Sequence, residues 1–213
     1  MATLDSTERS SLTGFLLTGQ TLLMATFTLV ETLALGLWLT LVADAALLSM
    51  ASATGLVVLT VGLVLEHVLT EATVNGLSLE LPVAQLVGIS VSETFLWALW
   101  LGVAEAAGGV EGILVAGVVL AVLLVPQHSI EDNILRGAEP FASVLDIDTL
   151  GFSLVEAVGA TLWLLFVFEG QQFRWVLTAA GLGSIDPGAI GLGLLAVALF
   201  IEHDIGLALA RRS

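Results

Sequence analysis

Long apolar runs, broken at intervals by short polar stretches, set the organisation of this chain. From Leu12 to about Thr70 the sequence is almost continuously apolar, too long for one bilayer-crossing helix and right for two. The pattern places a first span at 21–43 and a second at 46–70, turning at Asp44-Ala45. Residues 12–20 fit either an extension of the first helix or an interfacial segment. The polar linker 71–82 carries the turn residues Asn75-Gly76 and Pro82. A third span is predicted at 83–106, a tight Gly108-Gly109 connection follows, and a fourth span runs over 111–130. An acidic linker with Pro140 fills 131–147, before a fifth span at 149–169 and a sixth at 188–209. The 170–187 loop, with Arg174, Trp175 and Pro187, has room for a short surface or re-entrant helix.

Within this pattern one motif recurs. Glu31 to Trp38 reads ETLALGLW, Glu93 to Trp100 reads ETFLWALW, and Glu156 to Trp163 reads EAVGATLW. In each, a glutamate stands seven residues before a tryptophan, two turns away on the same helix face. A hydroxyl precedes each glutamate by three residues (Thr28, Ser90, Ser153), and an acid follows each tryptophan (Asp44, Glu105, Glu169). Later in each copy an apolar run ends in a polar residue and a histidine: Glu66-His67, Gln127-His128 and Glu202-His203. Even spacing of this kind points to an internal repeat. The expected fold is an all-α integral membrane protein, one domain over 1–213. Its six transmembrane helices form three tandem two-helix repeats, about 21–70, 83–130 and 149–209, in a pseudo-threefold arrangement. The hydroxyl–x–x–glutamate pattern also resembles a capping box, but the apolar residues before each hydroxyl favour unbroken helices.

Composition strengthens the membrane reading. Hydrophobic residues make up 57% of the chain, and mean hydropathy is +1.05, far above soluble domains. Twenty acids face five arginines, with no lysine, for a net charge of −15. Such a balance excludes nucleic acid and anionic lipid as preferred partners and fits a halophile, specifically an archaeal, proteome. The expected partners are the lipid bilayer and, in a homo-oligomer or membrane complex, other subunits. Without cysteine, disulfides and thiolate metal sites are excluded. The polar, acidic start of the chain does not resemble a cleavable signal peptide. Arg9, Arg136, Arg211 and Arg212 fall on one side of six spans and only Arg174 on the other. By the positive-inside bias both termini are expected to be cytoplasmic, in a multi-pass protein of the cell membrane.

The candidate chemistry lies in the acids and histidines. A carboxylate about ten residues into a span lies near mid-membrane, where it costs a few kcal/mol. Around a pseudo-threefold axis Glu31, Glu93 and Glu156 would converge, and His67, His128 and His203 would approach from neighbouring helices. Glu66 and Glu202 adjoin two of these histidines, about 100° round the helix, so only one of each pair need face inward. Carboxylate with neutral imidazole suits iron, manganese or zinc; haem on His67, His128 or His203 fits less well. His128 and Glu131 have i, i+3 spacing and His67 and Glu71 have i, i+4, but no established metal motif is present. The same residues suit proton or cation passage, with Asp44, Glu105 and Glu169 at the outer mouth. They equally suit plain structural pairing, in which the hydroxyls and histidines donate to the glutamates. The leading expectation is a membrane protein that binds a divalent metal at the axis or passes cations there. One alternative is a membrane metalloenzyme or redox protein acting on a lipid or quinone, and another is a non-catalytic subunit of a membrane complex. Trp38, Trp100 and Trp163 read as packing around the glutamates, whereas Trp97 and Trp175 read as interfacial.

Overall fold

The computed structural model describes residues 6–46, 48–76 and 81–210, with the backbone alone for 6–18 and 210. Arg9, Arg211 and Arg212, on which the expected orientation rests, lie outside the described side chains. Six helices are long and apolar enough to cross a membrane: α1 (Ser6–Val42), α2 (Met50–Asn75), α3 (Val83–Ala107), α4 (Gly109–Leu135), α5 (Leu150–Glu169) and α7 (Pro187–Ala210). Between the last two lies a short α6 (Arg174–Ala179), reached through a 3-10 turn, Gly170–Phe173. The chain is an all-α, six-helix membrane-spanning bundle.

Local chemistry explains where the helices start and stop. The Ser49 hydroxyl caps α2 by accepting from the Ser52 backbone N–H at 3.1 Å. Gly108 and Gly109 both have positive φ, 73° and 59°, a conformation only glycine adopts without strain. That lets α3 reverse into α4 within two residues. Pro187 begins α7, where a missing N–H costs nothing, and the Asp186 carboxylate accepts from the Ala189 N–H at 3.2 Å. Thr28 and Ser90 lie well inside α1 and α3, so those helices run unbroken past both hydroxyls. Ser153 sits in the first turn of α5, and its hydroxyl bonds back to the Thr149 carbonyl at 2.8 Å, not to a free N–H.

Several predicted boundaries shift. α1 ends at Val42, and α2 begins only at Met50 and continues to Asn75. On the far side of the bundle, α4 runs on to Leu135, which makes Glu131 and Asp132 helical where a linker was expected. The extra turns bury Glu71 in α2 and carry Glu131 towards the core.

Helix order round the bundle follows the connections. α1 packs most extensively on α2, α3 on α4, and α5 on α7; contacts of α2 with α3, α4 with α5, and α7 with α1 close the ring. The outer surface is apolar: Leu29, Leu33, Leu37, Val61, Phe95, Val118, Val122 and Val158 are exposed, as befits side chains that meet lipid. The interior holds one large apolar cluster around Trp38, Trp97, Trp100 and Trp163 with leucines from all six spanning helices. Small residues set the helix separation. A Cβ on Gly62 would overlap the Ala34 methyl across α1 and α2, and one on Gly159 would overlap Ala198 across α5 and α7. Gly62→Leu is therefore expected to destabilise the bundle by about 1–3 kcal/mol, lowering Tm in detergent. Gly102→Ala, where nothing lies within 4 Å of the new methyl, is expected to leave Tm unchanged or slightly raised.

Candidate metal centre

Glu31, Glu93 and Glu156 stand at matched depth on α1, α3 and α5 and meet in the middle of the bundle. One oxygen from each lies within 4.8 Å of the others, and all three side chains are buried. Glu93 is ten residues beyond Val83, where α3 begins, or roughly 15 Å along the helix, half the apolar thickness of a bilayer. This is a buried acidic cluster able to coordinate a divalent metal.

The histidines join it from α2, α4 and α7, each meeting the glutamate of the next helix round the ring. His67 Nε2 lies 3.6 Å from Glu93 Oε2, His128 Nε2 lies 3.1 Å from Glu156 Oε2, and His203 Nε2 lies 3.4 Å from Glu31 Oε2. Both members of two adjacent pairs face inward, where only one was required. Glu66 Oε1 lies 3.6 Å and Glu202 Oε2 lies 3.2 Å from His203 Nε2. Glu66 Oε2 is also 3.2 Å from His67 Nδ1. Gln127, which adjoins His128 as Glu66 and Glu202 adjoin the other two histidines, instead donates to the Ile89 carbonyl at 2.9 Å.

The three hydroxyls bind the histidines, not the glutamates. Thr28 Oγ1 lies 2.8 Å from His203 Nδ1, Ser90 Oγ lies 3.1 Å from His67 Nδ1, and Ser153 Oγ lies 2.8 Å from His128 Nδ1. These contacts assign the tautomers of two of the rings. A serine hydroxyl has one proton, and Ser153 and Ser90 give theirs to the carbonyls of Thr149 and Leu86. At the ring they must accept, so Nδ1 of His128 and of His67 carries a proton. The Leu63 carbonyl, 2.7 Å from His67 Nδ1, requires the same. In the neutral ring Nε2 then presents a lone pair to the carboxylates. Two lone-pair-bearing atoms at 3.1–3.8 Å repel unless a cation, a metal ion or a proton, lies between them.

Two oxygens of the cluster, Glu31 Oε2 and Glu156 Oε1, are buried without a hydrogen-bond partner. Other neighbours steady the rings: Phe27 meets His203 edge-on with centroids 4.7 Å apart, and Phe152 lies 4.8 Å from His128. Two residues escaped sequence reasoning. Glu131 Oε1 approaches His67 Nε2 to 3.8 Å; its i, i+3 spacing from His128 was the available signal, though the histidine it meets is on another helix. Trp97, expected at an interface, is fully buried and donates from Nε1 to Glu93 Oε1 at 3.2 Å. Trp175 is 74% exposed, in keeping with an interfacial position.

Beyond the cluster the interior dries out. Trp100 and Trp163 stack with centroids 6.2 Å apart, Trp97 meets Trp100 edge-on at 5.2 Å, and the indole N–H groups of Trp38 and Trp100 are buried without partners. Asp44, Glu105 and Glu169 lie past this layer and share no mouth. Asp44 lines a crevice with Gln171 and Asp186, whereas Glu105 and Glu169 line a separate one beside Gly108.

Ser153→Ala leaves the His128 N–H without its acceptor. The expected cost is about 1–3 kcal/mol, read as a lower Tm with unchanged helix content by circular dichroism. No family model, curated protein or solved structure matches the chain.

Proposed function

We propose that this membrane protein binds a divalent metal ion between Glu31, Glu93 and Glu156, with Nε2 of His67, His128 and His203 completing the donor set and Glu66, Glu131 and Glu202 beside them. The observation that carries the reading is the orientation of the imidazoles. Nδ1 is committed to a hydroxyl or carbonyl at His67 and His128, and every Nε2 faces a carboxylate. A metal-binding histidine is usually held in this way, its second nitrogen donating to a fixed acceptor. The Nε2-to-oxygen separations of 3.1–3.8 Å bracket the edge of about 3.4 Å between two ligands of a tetrahedral zinc-type ion with bonds near 2.1 Å.

Charge supports the same conclusion. Six carboxylates approach three imidazoles in the centre, and the Arg136 guanidinium is engaged 2.8 Å away with Asp132. Oxygen and imidazole donors without thiolate suit iron, manganese or zinc. The arrangement is read as three tandem hairpins about a pseudo-threefold axis. In support, the hydroxyl and glutamate of α1, α3 and α5 engage the histidine of the preceding hairpin, and the third hairpin closes onto the first.

Purified protein loaded with iron, manganese or zinc and then dialysed is expected to retain metal in stoichiometric amount by mass spectrometry. The His67/His128/His203→Ala triple variant is expected to lose it. Ser90→Ala and Ser153→Ala should weaken affinity by about 10–100-fold, the usual effect of removing a partner that orients a ligand. Because ligands must shed protons to bind metal, affinity is expected to fall as pH is lowered. Absence of bound metal in the parent protein after all three loadings would overturn the proposal.

A further inference from the structure

We propose that the cluster exchanges its cation and water with one membrane face only, through an opening between α4 and α7 at the end of the bundle where both helices finish. The identity of the cargo rests on the metal reading above; the opening does not.

The opening is a cavity of about 30 Å³ in which His128, Glu131, Asp132, Glu202 and His203 face an otherwise largely apolar wall that includes Phe27 and Phe152. That volume admits one water or one bare ion, so a hydrated cation has to exchange its waters for carboxylate oxygens on the way in. Glu131 and Glu202 stand where this exchange would occur. Both touch histidines of the cluster, at 3.8 Å to His67 and 3.2 Å to His203. Asp132, one residue on from Glu131, forms the outer rim, tied to Arg136 at 2.8 Å. Gly206 keeps the passage clear: the nearest atom to a Cβ placed there is Glu202 Oε1, at 3.9 Å. A larger side chain at 206 would project over the carboxylate that links cavity to cluster.

The other direction is shut. Each tryptophan of the repeat lies seven residues beyond its glutamate, about 10 Å along the helix. Trp38, Trp97, Trp100 and Trp163, with Leu35, Leu59, Leu120 and Leu195, form a buried apolar layer there. The acids past that layer line separate crevices, Asp44 in one and Glu105 in two others, of which two are bounded at the layer by Trp163 and Trp38. A cation crossing the layer would be stripped of water with no oxygen to replace it, which is prohibitive in so apolar a setting.

The cysteine-free chain makes a direct test available. Thr70 lines the cavity and is buried, so a Thr70→Cys variant is reconstituted in vesicles and exposed from either side to silver ion, a bare thiol-reactive cation small enough for the cavity. Reaction is expected from the face at which α2, α4 and α7 end, and not from the other. Adding Gly206→Leu is expected to slow that reaction, and metal loading of the parent chain, by about tenfold or more, as one obstructing side chain raises the barrier. Gly206→Ala should give a smaller slowing, which covers the case in which the leucine variant does not fold. Equal reaction from both faces, no reaction from either face, or a rate indifferent to the side chain at 206, would overturn the proposal. If the parent chain binds no metal while Thr70→Cys still reacts from one face under the control of residue 206, the metal reading falls and the opening stands.

Discussion

The fold depends on gathering six carboxylates, five of them buried, in the middle of an apolar bundle, where a charge is costly unless it is neutralised or paired close by. The three imidazoles, each beside at least one carboxylate, are what make that interior tolerable. They also do the mechanical work of joining the hairpins. Within a hairpin, glycine and alanine let the helices touch; between hairpins, the recurring polar contact is a histidine held by a hydroxyl on one side and a glutamate on the other. Packing and chemistry are therefore the same contacts, and a change that loosens the centre also loosens the ring.

The opposite halves of the bundle divide this labour. On one side of the glutamates lie the polar groups, the cavity and the ends of α4 and α7. On the other lies a layer of four indoles and surrounding leucines. Tryptophan suits that layer because its size fills the space between six helices that glycines hold close. The unpartnered N–H groups of Trp38 and Trp100 are the residual cost of using so large a ring so far from water.

Much of this was legible in the sequence because the determining patterns are local. Apolar length located all six spans, and the seven-residue separation of glutamate from tryptophan put both on one helix face. Three glutamates and three histidines recurring at matched positions pointed to a common centre. What escaped depends on where helices end and how they rotate. Glu131 looked like loop because the run 131–135 contains two acids and an asparagine, yet tertiary packing carries α4 through it. Trp97 looked interfacial because it breaks the repeat, but it is four residues after Glu93 and so one turn away on the same face. Glu66 and Glu202 both point inward with their neighbouring histidines because the centre is wide enough to receive residues 100° apart, which spacing alone does not reveal.

Gln127 has a consequence for electronic structure. It occupies the place held by Glu66 and Glu202 in the other two hairpins, and its amide is turned away to a backbone carbonyl. The charge around the three histidine–glutamate pairs is consequently uneven. An ion bound there would be drawn towards the corner where Glu31, Glu66 and Glu202 converge on His203. A paramagnetic ion such as high-spin iron(III) or manganese(II) would experience a low-symmetry ligand field, with rhombic rather than axial splitting of its spin states. One neutral amide among the acids thus gives the centre a preferred side.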